Sequence, residues 1–337
     1  MGRGLTLVMA VVMAVGLGAS AMACAPGASV EDPGHNVILV TLDGVRSQEV
    51  FGQPPPELAG ADTAPAFPLL HASLEHEGVM YGDPTRFDVM TTANPAQRSL
   101  PGYMSIFAGF EQKCFDNDCP RTVVETALER IQRQLVLSRG EVATIASWGK
   151  MGRAIEHIGG TIYTDIGPSG ADAIGATSAP DWHPARWDRD TWAAAMRYLE
   201  AARPRLLHIG LLDADGWAHA GDYASYLGTL RQYDRWIAEL RARLATLGDY
   251  GARTTIIVTT DHGRGDGAGR TDHNPDLPGS ERVFLYAVGP QIAGGRWASA
   301  LARHSSADIR PTLETLFGLE PARCLRCGAV LAEVVGP

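Results

Sequence analysis

Three features of the sequence predict a wound α/β fold: a mixed, mainly parallel sheet with helices on both faces. Five short apolar runs rich in β-branched residues alternate with helical patterns along the chain. The runs are continuous rather than alternating between apolar and charged, as strands covered on both faces are. Three of the five end in an aspartate, on the side of an open α/β sheet where ligands collect.

The strand candidates are NVILVTL at 36–42, VATIAS at 142–147, RLLHIGLL at 205–212, TTIIVTT at 254–260 and VFLYAV at 283–288. Between 223 and 247 apolar residues recur at Tyr223, Tyr226, Leu227, Leu230, Tyr233, Ile237, Leu240 and Leu244, the period of one long helix packed on the sheet. A last helix is expected over 306–317, with Pro311 in its first half and Gly318 at its end. Residues 52–66, rich in Pro, Gly and Ala, read as an exposed loop. The stretch 149–190, with many Gly, Pro, Ser and Trp, reads as a lid-like insertion whose His183 could touch a substrate. No repeat or linker divides the chain, so 30–337 is expected to form one domain.

The N-terminus has one Arg, an apolar run from Leu5 to Leu17 and the small residues Ala-Met-Ala before Cys24. Residues 1–23 therefore read as a signal peptide, and the chain as exported, periplasmic or extracellular. Cys24 would carry a lipid anchor if a bacterial lipoprotein peptidase cut there, but Ala21 stands where that signal usually has Leu. Export permits disulfides, and the other cysteines form two close pairs, Cys114 with Cys119 and Cys324 with Cys327. A single zinc site made of all four thiolates is the rival reading.

The net charge of −9 and the lack of a Lys/Arg cluster argue against a nucleic-acid or anionic-membrane surface. An anionic substrate would need local help, such as metal cations. The sequence places acids for that purpose: Asp43 after the first run, Asp213 and Asp215 after the third, Asp261 after the fourth. Converging carboxylates repel unless protons or cations neutralise them, and the neighbouring histidines point to cations. Asp215 and His219 lie four apart, on one side of a helical turn. Asp261 and His262 are adjacent, and His273 follows a glycine-rich loop that can fold back. This mixture of oxygen and imidazole ligands suits zinc; manganese, iron and calcium stay open as alternatives.

In this order, VTLDGVR, SLPGYMSIFAG, DADGWAHAG, TTDHGRG and TDHN resemble the motifs of the alkaline phosphatase superfamily, most of all its nucleotide pyrophosphatase/phosphodiesterase branch. The resemblance runs from about Asn36 to Gly318 and is weakest over 150–203. It implies an alkaline-phosphatase-like fold and two divalent ions. One would be held by Asp43, Asp261 and His262 with a nucleophile, the other by Asp215, His219 and His273, with Asp213 as a substitute for Asp215. It implies Ser99 as the nucleophile, although a Ser before a helical run also reads as a plain helix cap. Asn117 in CFDNDC matches an Asn that holds a phosphoryl oxygen, and the Cys114–Cys119 bridge would fix its loop.

The implied activity is hydrolysis of a small phosphate ester, diester or monoester, through a phosphoseryl intermediate. Arg46 and Arg98 lie near the motifs, and neither can be assigned to a phosphate charge. A sulfatase would need C/S-x-P-x-R, and Tyr103 occupies the Arg position. A secreted zinc-binding protein without turnover is the rival from another class.

Overall fold

A computed structural model describes residues 1–2, 34–167, 185–292, 294–298 and 303–336. Nearly all of the expected signal peptide, Cys24, and 168–184 with His183 lie outside the described residues. Among the described residues no helix is long and apolar enough to cross a membrane.

The strands are β1 Asn36–Leu42, β2 Val79–Tyr81, β3 Val89–Thr91, β4 Val142–Ala146, β5 Tyr163–Ile166, β6 Leu206–Leu211, β7 Thr254–Thr259, β8 Leu285–Val288, β9 Arg296–Trp297 and β10 Arg303–Ser305. Eight of them form one sheet in the order β5-β4-β6-β1-β7-β8-β2-β9, while β3 and β10 pair separately. From β5 to β7 all neighbours are parallel; β8 runs antiparallel to both β7 and β2. The sheet is therefore mixed and mainly parallel, as the apolar runs predict.

Alternate residues of β1 enter opposite layers because side chains on a strand point to opposite faces. Val37 and Leu39 join a core with Leu100, Ile106 and Phe107 of the helix Ser99–Ala108 and Leu313 of the helix Ile309–Leu316. Ile38, Val40 and Leu42 join a second core with Leu199 of the helix Asp188–Ala202 and with Leu230, Tyr233 and Ile237 of the helix Tyr223–Ala245. Each aliphatic side chain so buried contributes about 1.5–3 kcal/mol, and a charge at Leu39 would break both the strand and its helix contact.

Asp222 caps the long helix by accepting from Ser225 N at 3.0 Å. The helix ends two residues earlier than the periodicity predicts, because Thr246 N and Leu247 N bond the carbonyls of Arg243 and Leu244 in a tighter turn. The last helix is preceded by a 3-10 turn, Ser306–Asp308. Pro311 lies in its first turn, where the missing N–H would have no intrahelical partner.

The described part of the 149–190 stretch supplies β5, an edge strand of the main sheet. Arg186 ties its far end back to that edge, with Nη1 2.7 Å from Asp165 Oδ1 and Nη2 donating to the Ala146 carbonyl at 3.3 Å.

Candidate metal centre

The adjacency of β6, β1 and β7 places three acids at one edge of the sheet. Asp43 directly follows β1, Asp261 follows β7 after Thr260, and the helix Asp213–His219 starts one residue past β6. Gly44 makes the turn with φ +63°, and its N–H donates to Asp261 Oδ1 at 3.1 Å. A Cβ there would lie 2.4 Å from Asp215 Oδ1, so only glycine lets the acids close up.

Asp43, Asp261 and His262 form one group, fully buried. His262 Nε2 lies 3.5 Å from Asp43 Oδ1 and 3.4 Å from Asp261 Oδ2. Ser99 is the first residue of its helix, and Arg98 in extended conformation takes the capping position. The Ser99 hydroxyl caps nothing: Oγ lies 3.3 Å from Asp43 Oδ1 and 3.4 Å from His262 Nε2. Tyr103, one turn further on, donates to Asp43 Oδ2 at 3.1 Å. Gly102 lets this helix sit against β7's end, since a Cβ would lie 2.7 Å from the Asp261 carbonyl oxygen.

Asp215, His219 and His273 form the second group. His219 Nε2 lies 3.4 Å from Asp215 Oδ2 and 3.1 Å from His273 Nε2, which is 3.9 Å from Asp215 Oδ1. Asp213 turns elsewhere and accepts from Asp188 N at 3.2 Å, so Asp215 is the acid that faces His219. The rings of His262 and His273 stack with centroids 3.9 Å apart, joining the two groups. Three overlapping sets among the described residues have ligand atoms within 4.8 Å of one another: Asp43, Asp261 and His262; Asp215, His262 and His273; His219, Asp272 and His273; the first is an expected set, while the expected trio Asp215, His219 and His273 is divided between the other two.

This donor set fits divalent cations. Burial, then Asp261 and Asp215, pushes the Asp43 carboxyl well up, and burial with Asp215 does the same to Asp261. Asp261 Oδ2 is buried with no hydrogen-bond partner. Burial pushes Asp215 up too, but Arg264 and then His219 outweigh it and hold the carboxyl well below the usual range. Burial also lowers His262 and His273, favouring neutral imidazoles. Each donates from Nδ1 to a carbonyl, His262 to Gly263 at 2.8 Å and His273 to Gln97 at 2.6 Å. That tautomer leaves the Nε2 lone pairs turned toward the carboxylates, the usual arrangement of metal-ligating histidines.

Asn117 lies beside the start of the helix that carries Ser99. Its Oδ1 accepts from Leu100 N at 2.9 Å, and Nδ2 has no partner among the described residues. The Cys114–Cys119 disulfide closes the loop that carries it, and Cys324–Cys327 is the second bridge. The four-thiolate zinc reading is thereby replaced by two disulfides. Arg46 is buried beside Glu49, with Nη1 3.2 Å from Oε1. Arg98 donates to Asn274 Oδ1 at 2.7 Å, next to His273.

Three participants escaped sequence reasoning. Asp272 and Tyr103 stand inside TDHN and SLPGYMSIFAG, and an acid and a phenol so close to the expected ligands are a signal that they join the cluster. Arg264 stands inside TTDHGRG, but an arginine among glycines reads as exposed, whereas it is fully buried against Asp215.

No family model matches the chain. A phosphopentomutase of Carboxydothermus hydrogenoformans is 25% identical over 178 residues, covering 50% of this chain and 42% of that protein. The chain spans only 26–42% of the length of the five phosphopentomutases it matches. Among solved structures, a protein of the alkaline phosphatase superfamily from Vibrio parahaemolyticus superposes with a TM-score of 0.56 at 14% identity, covering 85% of this chain and 66% of that one. The phosphonate monoester hydrolase of Agrobacterium radiobacter gives 0.61 at 16% identity, covering 90% of this chain and 78% of that one. Motifs, sheet order and these superpositions agree that the chain has the fold of the alkaline phosphatase superfamily.

Proposed function

We propose that the chain is an exported, two-metal phosphoric ester hydrolase that works through a phosphoseryl intermediate on Ser99. The observation that carries this reading is the placement of Ser99 Oγ, at the start of a helix and within 3.4 Å of both Asp43 and His262. A helix cap would have turned inward to the backbone, whereas this hydroxyl faces the acids. Asp43, Asp261 and His262 would hold one ion and Asp215, His219 and His273 the other, most suitably zinc by their N/O composition. Bound there, the ions would stabilise an alkoxide and the charge that develops on a leaving oxygen.

The chain's own residues supply the rest. The N-terminus of the helix Ser99–Ala108 directs its positive end at a phosphate. Ser99 Oγ attacks phosphorus in line and gives up its proton, the P–O bond to the alcohol breaks, and the alcohol leaves with that proton. Asn117 Nδ2 is free to donate to a phosphoryl oxygen, which favours a diester, as the motif match implies. Water then cleaves the phosphoserine, releasing the phosphate product and restoring Ser99. Positioning and charge stabilisation carry both steps. The N-terminal apolar run and the two disulfides support export. The test is hydrolysis of p-nitrophenyl phosphate, its bis-ester and the thymidine ester with and without chelator; zinc-loaded protein that cleaves none of them returns the chain to the non-catalytic zinc-binding reading.

The local likeness to phosphopentomutases favours one second reading, transfer of a phosphoryl group within a pentose phosphate. Phosphorus NMR separates the two: isomerisation of ribose 1-phosphate without free phosphate would support transfer, and phosphate release would support hydrolysis.

A further inference from the structure

Arg264 is the largest fully buried side chain among the described residues, and it lies against the cluster rather than under the fold. Its Nη1 is ion-paired with Asp215 Oδ1. Nε donates to the Arg270 carbonyl at 2.9 Å and Nη2 to the Thr271 carbonyl at 2.6 Å. The neighbouring Gly265 N donates to the Asp272 carbonyl at 3.0 Å, so the Arg264–Gly265 pair holds the whole approach to His273. The wall behind Nη1 is Gly44, where a Cβ would lie 3.0 Å away. The guanidinium is fully buried and each of its nitrogens has a protein partner, which distinguishes it from an arginine that binds phosphate directly.

Asp215 has two oxygens, and the arginine takes one of them. We propose that Arg264 is a positioning residue that leaves Asp215 a single free oxygen and thereby keeps one coordination position of the second cation open. Oδ2, 3.4 Å from His219 Nε2, is the oxygen left over. On the two-metal reading it would serve the ion with His219 and His273, whose Nε2 atoms lie 3.1 Å apart, and three protein donors are the number found where a four-coordinate ion keeps a place for a non-protein ligand. Without the guanidinium, Asp215 would be free to grip the ion with both oxygens and fill that place. The inference rests on the two-metal reading above.

Cobalt(II) added stepwise to the metal-free chain reads both claims, because four-coordinate cobalt absorbs visible light more strongly than five- or six-coordinate cobalt. Wild-type protein is expected to bind two ions with a strong band for the Asp215 site. R264M removes a positive charge next to that ion and frees an oxygen. It should bind the second cobalt at least as tightly, with a weaker band, while turnover falls by tenfold or more. R264K, which keeps an ammonium for Oδ1, should retain the wild-type band. Weaker binding of the second ion in R264M with an unchanged band would overturn the proposal and make Arg264 a scaffold clamp. If R264M does not fold, R264L, which likewise offers no donor to Oδ1, carries the same expectations and the same refutation. Wild-type protein that takes up fewer than two ions would overturn the two-metal reading itself, a result separate from any behaviour of the variants.

Discussion

Ser99 Oγ lies 3.3 Å from Asp43 Oδ1, although 56 residues separate them in sequence. The contact exists because the helix Ser99–Ala108 packs its Gly102 face on the end of β7. Ser99→Ala is expected to lower kcat by roughly a thousandfold or more, as loss of a nucleophile does. Binding of both cations should survive, since six other donors remain. Steady-state kinetics on the bis-ester checks this, and a variant as active as wild type would remove Ser99 from the chemistry.

Metal removal should destabilise the fold. Asp43, Asp215 and Asp261 converge in a buried site, and cations relieve their repulsion. A site filled at a hundred times its dissociation constant stabilises the native state by about 2.7 kcal/mol. Thermal unfolding of chelator-treated protein should therefore rise several degrees on adding zinc. A midpoint indifferent to zinc would show that the acids are neutralised another way.

Asn117 offers a donor to a phosphoryl oxygen and an acceptor to Leu100 N. Asn117→Ala is expected to cost about 10²–10³ in kcat, the effect of removing one oxyanion donor. Reducing the Cys114–Cys119 bridge alone, with Cys114→Ser and Cys119→Ser, should give a smaller loss because the loop is also held by Lys150 to Asp118 at 2.8 Å. Equal and small losses from all of these variants would leave the loop a purely structural role.

His208 lies in the middle of β6 between Thr41 at 3.0 Å and Thr144 at 3.3 Å, and burial pushes its imidazole down to about 3. Its folded value is below the 6.5 of a free imidazole, so protonation favours the unfolded chain. The stability it contributes is complete above about pH 6.5 and declines as pH falls toward 3, by about 1.4 kcal/mol per unit. Urea denaturation of metal-free wild type and His208→Leu from pH 7 to pH 4 should show the gap between them narrowing as pH falls. A constant gap would mean that His208 takes up its proton alike in the folded and unfolded states, so that burial does not lower its affinity for the proton.

The fold was legible because fully buried parallel strands are continuous apolar runs and the long helix keeps its period over 23 residues. β2, β3, β5, β9 and β10 were not, because strands of two to four residues carry no periodicity, and β5 lies within the stretch that reads as an insertion. The candidate site was legible for a positional reason. Acids placed just after β1, β6 and β7 must converge if those strands are neighbours, and the sheet order makes them so. The choice of Asp215 over Asp213 also followed from helical spacing to His219. Arg264 was hidden because its burial depends on the 270–272 segment folding back over it, a contact that no local pattern encodes.

The most direct test of the central claim is anomalous scattering from zinc-soaked crystals, measured on both sides of the zinc edge. Two peaks are expected, one bonded to Asp43, Asp261 and His262 within reach of Ser99 Oγ, the other bonded to Asp215, His219 and His273. A zinc-saturated crystal with no peak among these side chains, or with ions bound only elsewhere, would contradict the account.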